Sequence, residues 1–287
     1  MRFRKAILII HGFAGGTYDE EYLQHRLEPI REFDTYAFTL PGHDGLFKPN
    51  MKENDWIKSA EEMMEYLIKN NYKTIYIVGH SMGGVIATHL ANKYKEVKKI
   101  VLVAAAFKFS GYKEENFNII DKLKNTPKIM KDYSKDEIIT RFLKMPIHAV
   151  KEFANLVKNN EHNLKEINIP TLIIQGNNDA LVPLETANYI YNKIPTKQKN
   201  ILIYDGVTHD VFRSNQKEEI TKEIKIPTLI IQGNNDALVP LETADFIYNE
   251  IPSVNKNILI CDGVTHDVFR SEKKQEITNE IIDFLKY

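Results

Sequence analysis

Lys73-Thr74-Ile75-Tyr76-Ile77-Val78-Gly79-His80-Ser81-Met82-Gly83-Gly84-Val85-Ile86-Ala87-Thr88-His89-Leu90-Ala91 decides how the rest of the chain reads. Residues 73–78 are β-branched and apolar, the pattern of a strand covered on both faces. Residues 85–91 run on with helical spacing. Between them stands G-x-S-x-G, where a sharp strand-to-helix turn forces unusual backbone angles on its central residue and leaves no room for flanking side chains. Such a turn lifts Ser81 Oγ above the sheet, and the helix N-terminus behind it favours developing negative charge. The pattern alone also fits a glycine-rich turn that merely packs closely. The strand before it and the helix after it make Ser81 a candidate nucleophile.

Composition excludes several classes. A chain of 287 residues accommodates one large domain or two small ones. With 43% hydrophobic and 27% charged residues it matches an ordinary globular protein. The net charge of −1 offers nothing to nucleic acid or to an anionic membrane surface. The first apolar run, Ala6-Ile7-Leu8-Ile9-Ile10, is too short for a signal segment or a membrane span. The single cysteine, Cys261, cannot form an internal disulfide and reads as an inert buried thiol, so a cytoplasmic location is the default expectation.

Working outward, residues 1–10 end in a strand followed by His11-Gly12-Phe13-Ala14-Gly15-Gly16, a loop small enough to approach another loop closely. A helix is expected over residues 19–31 and a strand over 34–40, stopped by Pro41-Gly42-His43. Asn54-Asp55 can cap a helix in which Trp56, Ala60, Met63, Met64 and Leu67 recur at helical spacing. A fourth strand is expected over 99–104. Strands alternating with helices predict an α/β fold with a doubly wound, mostly parallel sheet, its active edge at the strand C-termini. Residues 107–166 carry no strand signal; they read as helices inserted after the fourth strand, either a lid over Ser81 or plain helical packing.

From Ile169 the chain repeats itself. Ile169-Pro170-Thr171-Leu172-Ile173-Ile174-Gln175-Gly176-Asn177-Asn178-Asp179 returns from Ile226, and Asp205-Gly206-Val207-Thr208-His209 returns from Asp262. Pro170 recurs as Pro227 and His209 as His266, an offset of 57 residues in both. Two copies are too few for a solenoid, which needs about three. A tandem duplication of one strand–helix–strand–helix segment is expected, dividing the chain into core residues 1–106, the insertion 107–166, core residues 167–225 with the first copy, and the second copy at 226–287. Each copy puts an aspartate just past one strand and a histidine just past the next. Alone, such residues read as a turn former and a structural imidazole. After a serine elbow, in the order Ser, Asp, His, they form a candidate triad.

These features resemble the α/β-hydrolase fold and, within it, the bacterial carboxylesterase and monoacylglycerol-lipase branch. The resemblance rests on His11-Gly12-Phe13, Pro41-Gly42-His43, Asp55-Trp56, Gly79 to Gly83, Gly176 to Asp179 with Val182-Pro183, and Thr208-His209. It implies that Ser81, Asp179 and His209 act in catalysis, with the backbone N–H groups of Phe13 and Met82 as the oxyanion hole. The second copy departs from the family pattern and offers Asp236 and His266 with an equal chemical claim. It either extends the sheet by two strands, fills the site in place of the first copy, or completes another chain in a domain-swapped homodimer. Copy one, needing only the ordinary connection from the insertion, is favoured.

The implied chemistry is acyl transfer through a covalent serine intermediate on a small-molecule ester of short to medium acyl chain. No metal or organic cofactor is expected, since no metal-ligand spacing or dinucleotide fingerprint appears. A histidine base predicts that activity falls with acid. His11 reads as a brace of the oxyanion loop, His43 as a turn residue, and Trp56 as core. The alternatives are a peptidase, thioesterase or amidase on the same scaffold, and a non-catalytic binding or assembly protein whose triad the duplication has disrupted.

Overall fold

The computed structural model describes residues 5–28, 33–43, 51–108, 146–223, 228–237, 240–245, 256–265 and 271–279. It divides into two compact units, residues 1–217 and 218–287.

In the first unit, β1 (Lys5–Ile10), β2 (Phe33–Ala37), β3 (Thr74–His80), β4 (Val97–Val103), β5 (Thr171–Gly176) and β6 (Lys199–Tyr204) form one sheet. The order is β2-β1-β3-β4-β5-β6, and every neighbouring pair is parallel. Residues Ala6 to Ile10 are all buried, as a central strand with both faces covered requires. β6, at the edge, is wetter and leaves Ile203 exposed. The order reverses between β1 and β3. There the connections leaving the strands diverge, the position at which open α/β sheets bind ligands beyond the strand C-termini. The loop beginning at His11 leaves β1 at that point, and Ser81 follows β3.

Three helices pack around this centre: α1 (Glu21–Leu27), α2 (Glu53–Lys69) and α3 (Met82–Lys93). α3 lies against β3 and β4 and is buried almost throughout, which explains its apolar composition. α2 buries Trp56, Ala60, Met64 and Leu67, one face at helical spacing. α4 (Ile147–Asn160) places Phe153, Leu156 and Val157 in the same core. α5 (Glu185–Lys193) packs on β5 and β6, and α6 (Lys217–Glu223) starts at the boundary and belongs, from Glu218 on, to the second unit.

Local departures from the sequence expectations have identifiable causes. β2 stops at Ala37 rather than running to residue 40, because the Leu40 N–H donates to His11 Nε2 at 2.9 Å instead of to a strand. The helix expected from Asp19 is broken into a 3-10 turn, Thr17–Asp19, and α1. At the break, Glu20 turns its side chain inward and is 1% exposed. α2 starts at Glu53 with Lys52 as N-cap. Asp55 therefore sits in the first turn, its carboxylate accepting the Lys52 N–H at 2.9 Å. Most of the expected insertion, residues 109–145, lies outside the described residues, and with it the lid reading.

In the second unit, β7 (Thr228–Gly233) and β8 (Lys256–Cys261) pair in parallel. Their register, Thr228 opposite Lys256 through Gly233 opposite Cys261, reproduces that of β5 and β6 at the 57-residue offset. Among the described residues they form a two-stranded sheet of their own rather than two further strands of the first sheet. Cys261, Val264 and Ile277 make a small core there, with Ile231 and Leu259 against it.

Candidate active site

Ser81 occupies the junction of β3 and α3 with φ 52° and ψ −113°. A side-chain-bearing residue at such angles stores of order 1–3 kcal/mol of strain, which its surroundings must hold. They do so through the backbone. The Ser81 N–H donates to Val103 O at 2.9 Å, and the Ser81 carbonyl accepts from Gly84 at 3.1 Å and Ala106 at 3.2 Å. The flanking glycines are required by close approach. A Cβ on Gly79 would collide with the Gly83 carbonyl, and one on Gly83 with the Ile10 carbonyl at the end of β1. The turn is thereby pressed against the β1 loop.

That loop is built to be still. A Cβ added to Gly12 would lie 3.0 Å from Ser81 Cβ, so Phe13 follows a residue that touches the candidate nucleophile. His11 braces it from beneath. Its Nε2 accepts the Leu40 N–H, so its proton sits on Nδ1, which donates to Gly12 O at 2.8 Å. Burial, reinforced by His43, pushes the His11 pKa down to about 3, so it remains neutral. The Phe13 ring stacks on Phe153 with centroids 4.9 Å apart and meets Trp56 and His43 edge-on. Trp56 is fully buried, its Nε1–H directed at Pro41 O and Met51 Sδ; His43 Nδ1 lies 3.2 Å from Pro41 O. These three behave as the brace, core and turn residues expected from the sequence.

Asp179 and His209 meet. Asp179 sits in the loop after β5 and His209 in the loop after β6, two neighbouring strands whose C-terminal ends point the same way. His209 Nδ1 donates to Asp179 Oδ2 at 2.8 Å. Gln175 Nε2 donates to the same oxygen at 2.8 Å, while Oδ1 accepts the N–H groups of Leu181 and Val182 at 2.8 and 2.9 Å. Four donors fix this buried carboxylate in one orientation. With Nδ1 committed to Asp179, Nε2 of His209 is the nitrogen left to take up a proton.

His209 is joined to the serine turn by a residue that sequence reasoning passed over. His80, immediately before Ser81, lies with Nε2 3.0 Å from the His209 carbonyl oxygen, and the two rings are 5.1 Å apart. Its Nδ1 is 2.8 Å from Glu20 Oε1. A histidine at the second position of G-x-S-x-G was the available signal; its partner Glu20, far away in sequence, carried none.

The second copy repeats the local scaffold. Gln232 Nε2 donates to Asp236 Oδ2 at 2.9 Å, matching Gln175 and Asp179. His266 lies outside the described residues. Asp236 thus sits in the unit of residues 218–287, whereas Ser81, Asp179 and His209 share residues 1–217. Among the described residues no cluster of His, Cys, Asp and Glu could hold a metal ion, and no helix is long and apolar enough to cross a membrane.

A parallel sheet with a serine on a strained strand-to-helix turn, and an Asp–His pair on neighbouring strand ends, defines an α/β-hydrolase of the serine hydrolase class. The chain belongs to the Hydrolase_4 family, described as serine aminopeptidase, S33: the family matches residues 2–218 and matches again, in part, over 213–274. It is similar to a carboxylesterase of Bacillus subtilis (strain 168), 26% identical over 225 residues, covering 77% of this chain and 90% of that protein. It is also similar to a thermostable monoacylglycerol lipase of Bacillus sp. (strain H-257), 26% identical over 206 residues, covering 68% and 79%. Among solved structures, a monoacylglycerol lipase of Paleococcus ferrophilus superposes with a TM-score of 0.60 at 17% identity, covering 76% of this chain and 91% of that one.

Proposed function

We propose that the protein is a carboxylester hydrolase that works through an acyl-enzyme on Ser81. The observation that carries this reading is the Asp179–His209 hydrogen bond, on a loop tied through His80 to the turn that bears Ser81. His209 Nε2 takes the Ser81 proton as the hydroxyl attacks the ester carbonyl and returns it to the leaving alcohol. Asp179 holds the tautomer and stabilises the imidazolium. The N–H groups of Phe13 and Met82 receive the oxyanion, a role in which losing one donor costs about 3–4 kcal/mol in known enzymes. Water then releases the acid. No step calls for a metal or cofactor.

Short- to medium-chain acyl esters fit best, because the residues against the Phe13 loop are aromatic and apolar, Phe153 and Trp56 among them. The test is a panel of p-nitrophenyl and glycerol esters with a fluorophosphonate probe. Turnover and Ser81 labelling, both lost in Ser81→Ala, are expected; no turnover and no labelling would overturn the reading. A cytoplasmic site of action belongs to the same proposal.

The family description favours a second reading, an aminopeptidase. Aminoacyl p-nitroanilides separate the two, since faster release from them than from esters would favour the peptidase. For the second copy the reading is a segment that docks on another chain. A parallel two-stranded sheet is marginal by itself. A strictly monomeric species by size-exclusion chromatography with light scattering would rule this out.

A further inference from the structure

His80 uses both of its ring nitrogens. Nε2 faces the His209 carbonyl, and a carbonyl oxygen can only accept, so Nε2 carries a hydrogen. Nδ1 faces Glu20 Oε1 at 2.8 Å, so a second hydrogen lies between those two atoms. The pair therefore holds one proton more than a neutral imidazole beside a carboxylate. His80 and Glu20 are both buried, at 4% and 1% exposed. The His209 carbonyl also accepts the Val211 N–H at 2.9 Å, which anchors its own loop but reaches no other part of the site. Among the described residues, the hydrogen bond from His80 links that loop to the end of β3, with the His80 ring also edge-on to Phe212.

Resting on the reading of His209 as the base, we propose that His80 and Glu20 are positioning residues: a protonated His80, held by Glu20, fastens the His209 backbone to the end of β3 and sets the imidazole's distance from Ser81. Ser81 is the next residue along the chain, so the link between nucleophile and base runs through one rigid strand end. A displacement of about 1 Å between reacting groups can cost about a hundredfold in rate. Glu20 extends the link to a third segment, since it lies between the glycine-rich loop and α1.

The charged groups around the pair set its proton affinity. Burial alone lowers the His80 pKa, but the Glu20 hydrogen bond and charge, followed by Asp210 and the bond to His209, outweigh it and raise it to about 9. Burial likewise raises Glu20, with the His80 hydrogen bond opposing and Asp19 and Asp210 adding to the rise. Arg213 lies 3.6 Å from Asp210, and the His11 ring also senses His80. Because His80 is raised above its ordinary value, the clamp is complete below about 6.5 and is lost as pH rises through about 9. With the proton gone, either Nδ1 or Nε2 turns a lone pair on an oxygen. Glu20→Gln removes this dependence: its amide donates to Nδ1, so a neutral His80 keeps Nε2–H on the carbonyl.

The experiment follows kcat for p-nitrophenyl butyrate between about pH 6 and 10.5, corrected for spontaneous hydrolysis, in the full-length protein. Wild type is expected to lose activity along an alkaline limb near pH 9, and Glu20→Gln to lack that limb. His80→Gln, whose amide reaches the Nε2 position, should stay within about tenfold of wild type, while His80→Asn falls about a hundredfold in kcat with KM little changed. A wild-type profile without the limb, or a Glu20→Gln profile that keeps it, would overturn the proposal. Nitrogen NMR of the histidine rings decides the matter without turnover. Both His80 nitrogens should carry hydrogen near neutral pH, and one bare nitrogen with Glu20 ionised refutes the clamp. An inactive wild type with Ser81 unlabelled by fluorophosphonate would instead remove the hydrolase reading, leaving NMR to judge the clamp.

Discussion

The two copies of the repeat make the same local structure and stand in different units. In both, an asparagine side chain bridges two loops: Asn177 Nδ2 to Asp205 Oδ1 and Asn234 Nδ2 to Asp262 Oδ1, each at 2.7 Å. In both, that asparagine's Oδ1 accepts a glycine N–H, from Gly206 at 2.8 Å and from Gly263 at 2.7 Å. Gly206 and Gly263 share a φ near +73°, a left-handed turn in which glycine costs nothing. What separates the copies is the company of the first strand. β5 lies beside β4, with Ile100 opposite Thr171 and Val103 opposite Ile174. β7 pairs with β8 and belongs to the smaller sheet. The strand and its acidic loop are encoded locally; a place in the sheet that carries Ser81 comes from pairing with β4.

The largest test of that difference is catalytic. His209→Ala and Asp179→Asn should each cut kcat by about 10⁴-fold, as loss of a base or of its tautomer does elsewhere. His266→Ala and Asp236→Asn should leave kcat unchanged, and an inactive His266→Ala beside an active His209→Ala would reverse the assignment of the copies. Next come the matched glycines. A Cβ on Gly176 would run into the Val207 carbonyl, and one on Gly233 into that of Val264. Each alanine substitution should cost about 1–3 kcal/mol. Gly176→Ala should lower the melting temperature measured with a ligand-protected Ser81, while Gly233→Ala should not. The smallest effect is expected from Asn177→Ala and Asn234→Ala. Each should cost about 1 kcal/mol or less, because the bonds are exposed, and hydrogen exchange should show each loss confined to its own loop pair.

Much of the fold was legible because its signals are local. The apolar runs around Ile9, Ile77, Leu102 and Ile173 could only be buried strands, and the glycines around Ser81 marked a turn between strand and helix. Asp179 and His209 could be nominated because each follows such a strand. Three things were hidden. β2 ends early because a backbone N–H of its exit segment is taken by His11, a side chain from another strand's loop. The helix expected from Asp19 breaks because Glu20 is drawn to His80, 60 residues away. His80 itself escaped notice because a histidine beside the nucleophile has no meaning until its two partners are in place.

By itself the sequence determined a parallel α/β sheet, a serine on a tight turn, and two interchangeable sets of acid and imidazole. Identical strings such as Thr-Leu-Ile-Ile-Gln-Gly encode identical local hydrogen bonds, so the strings themselves rank neither copy, and only the ordinary connection from the insertion favoured the first. Only the tertiary structure decided that β5, and not β7, lies against β4, and that His80 grips the loop of His209. Both outcomes depend on contacts between residues far apart in the chain, whose energies arise from shared burial and paired charge rather than from any short segment.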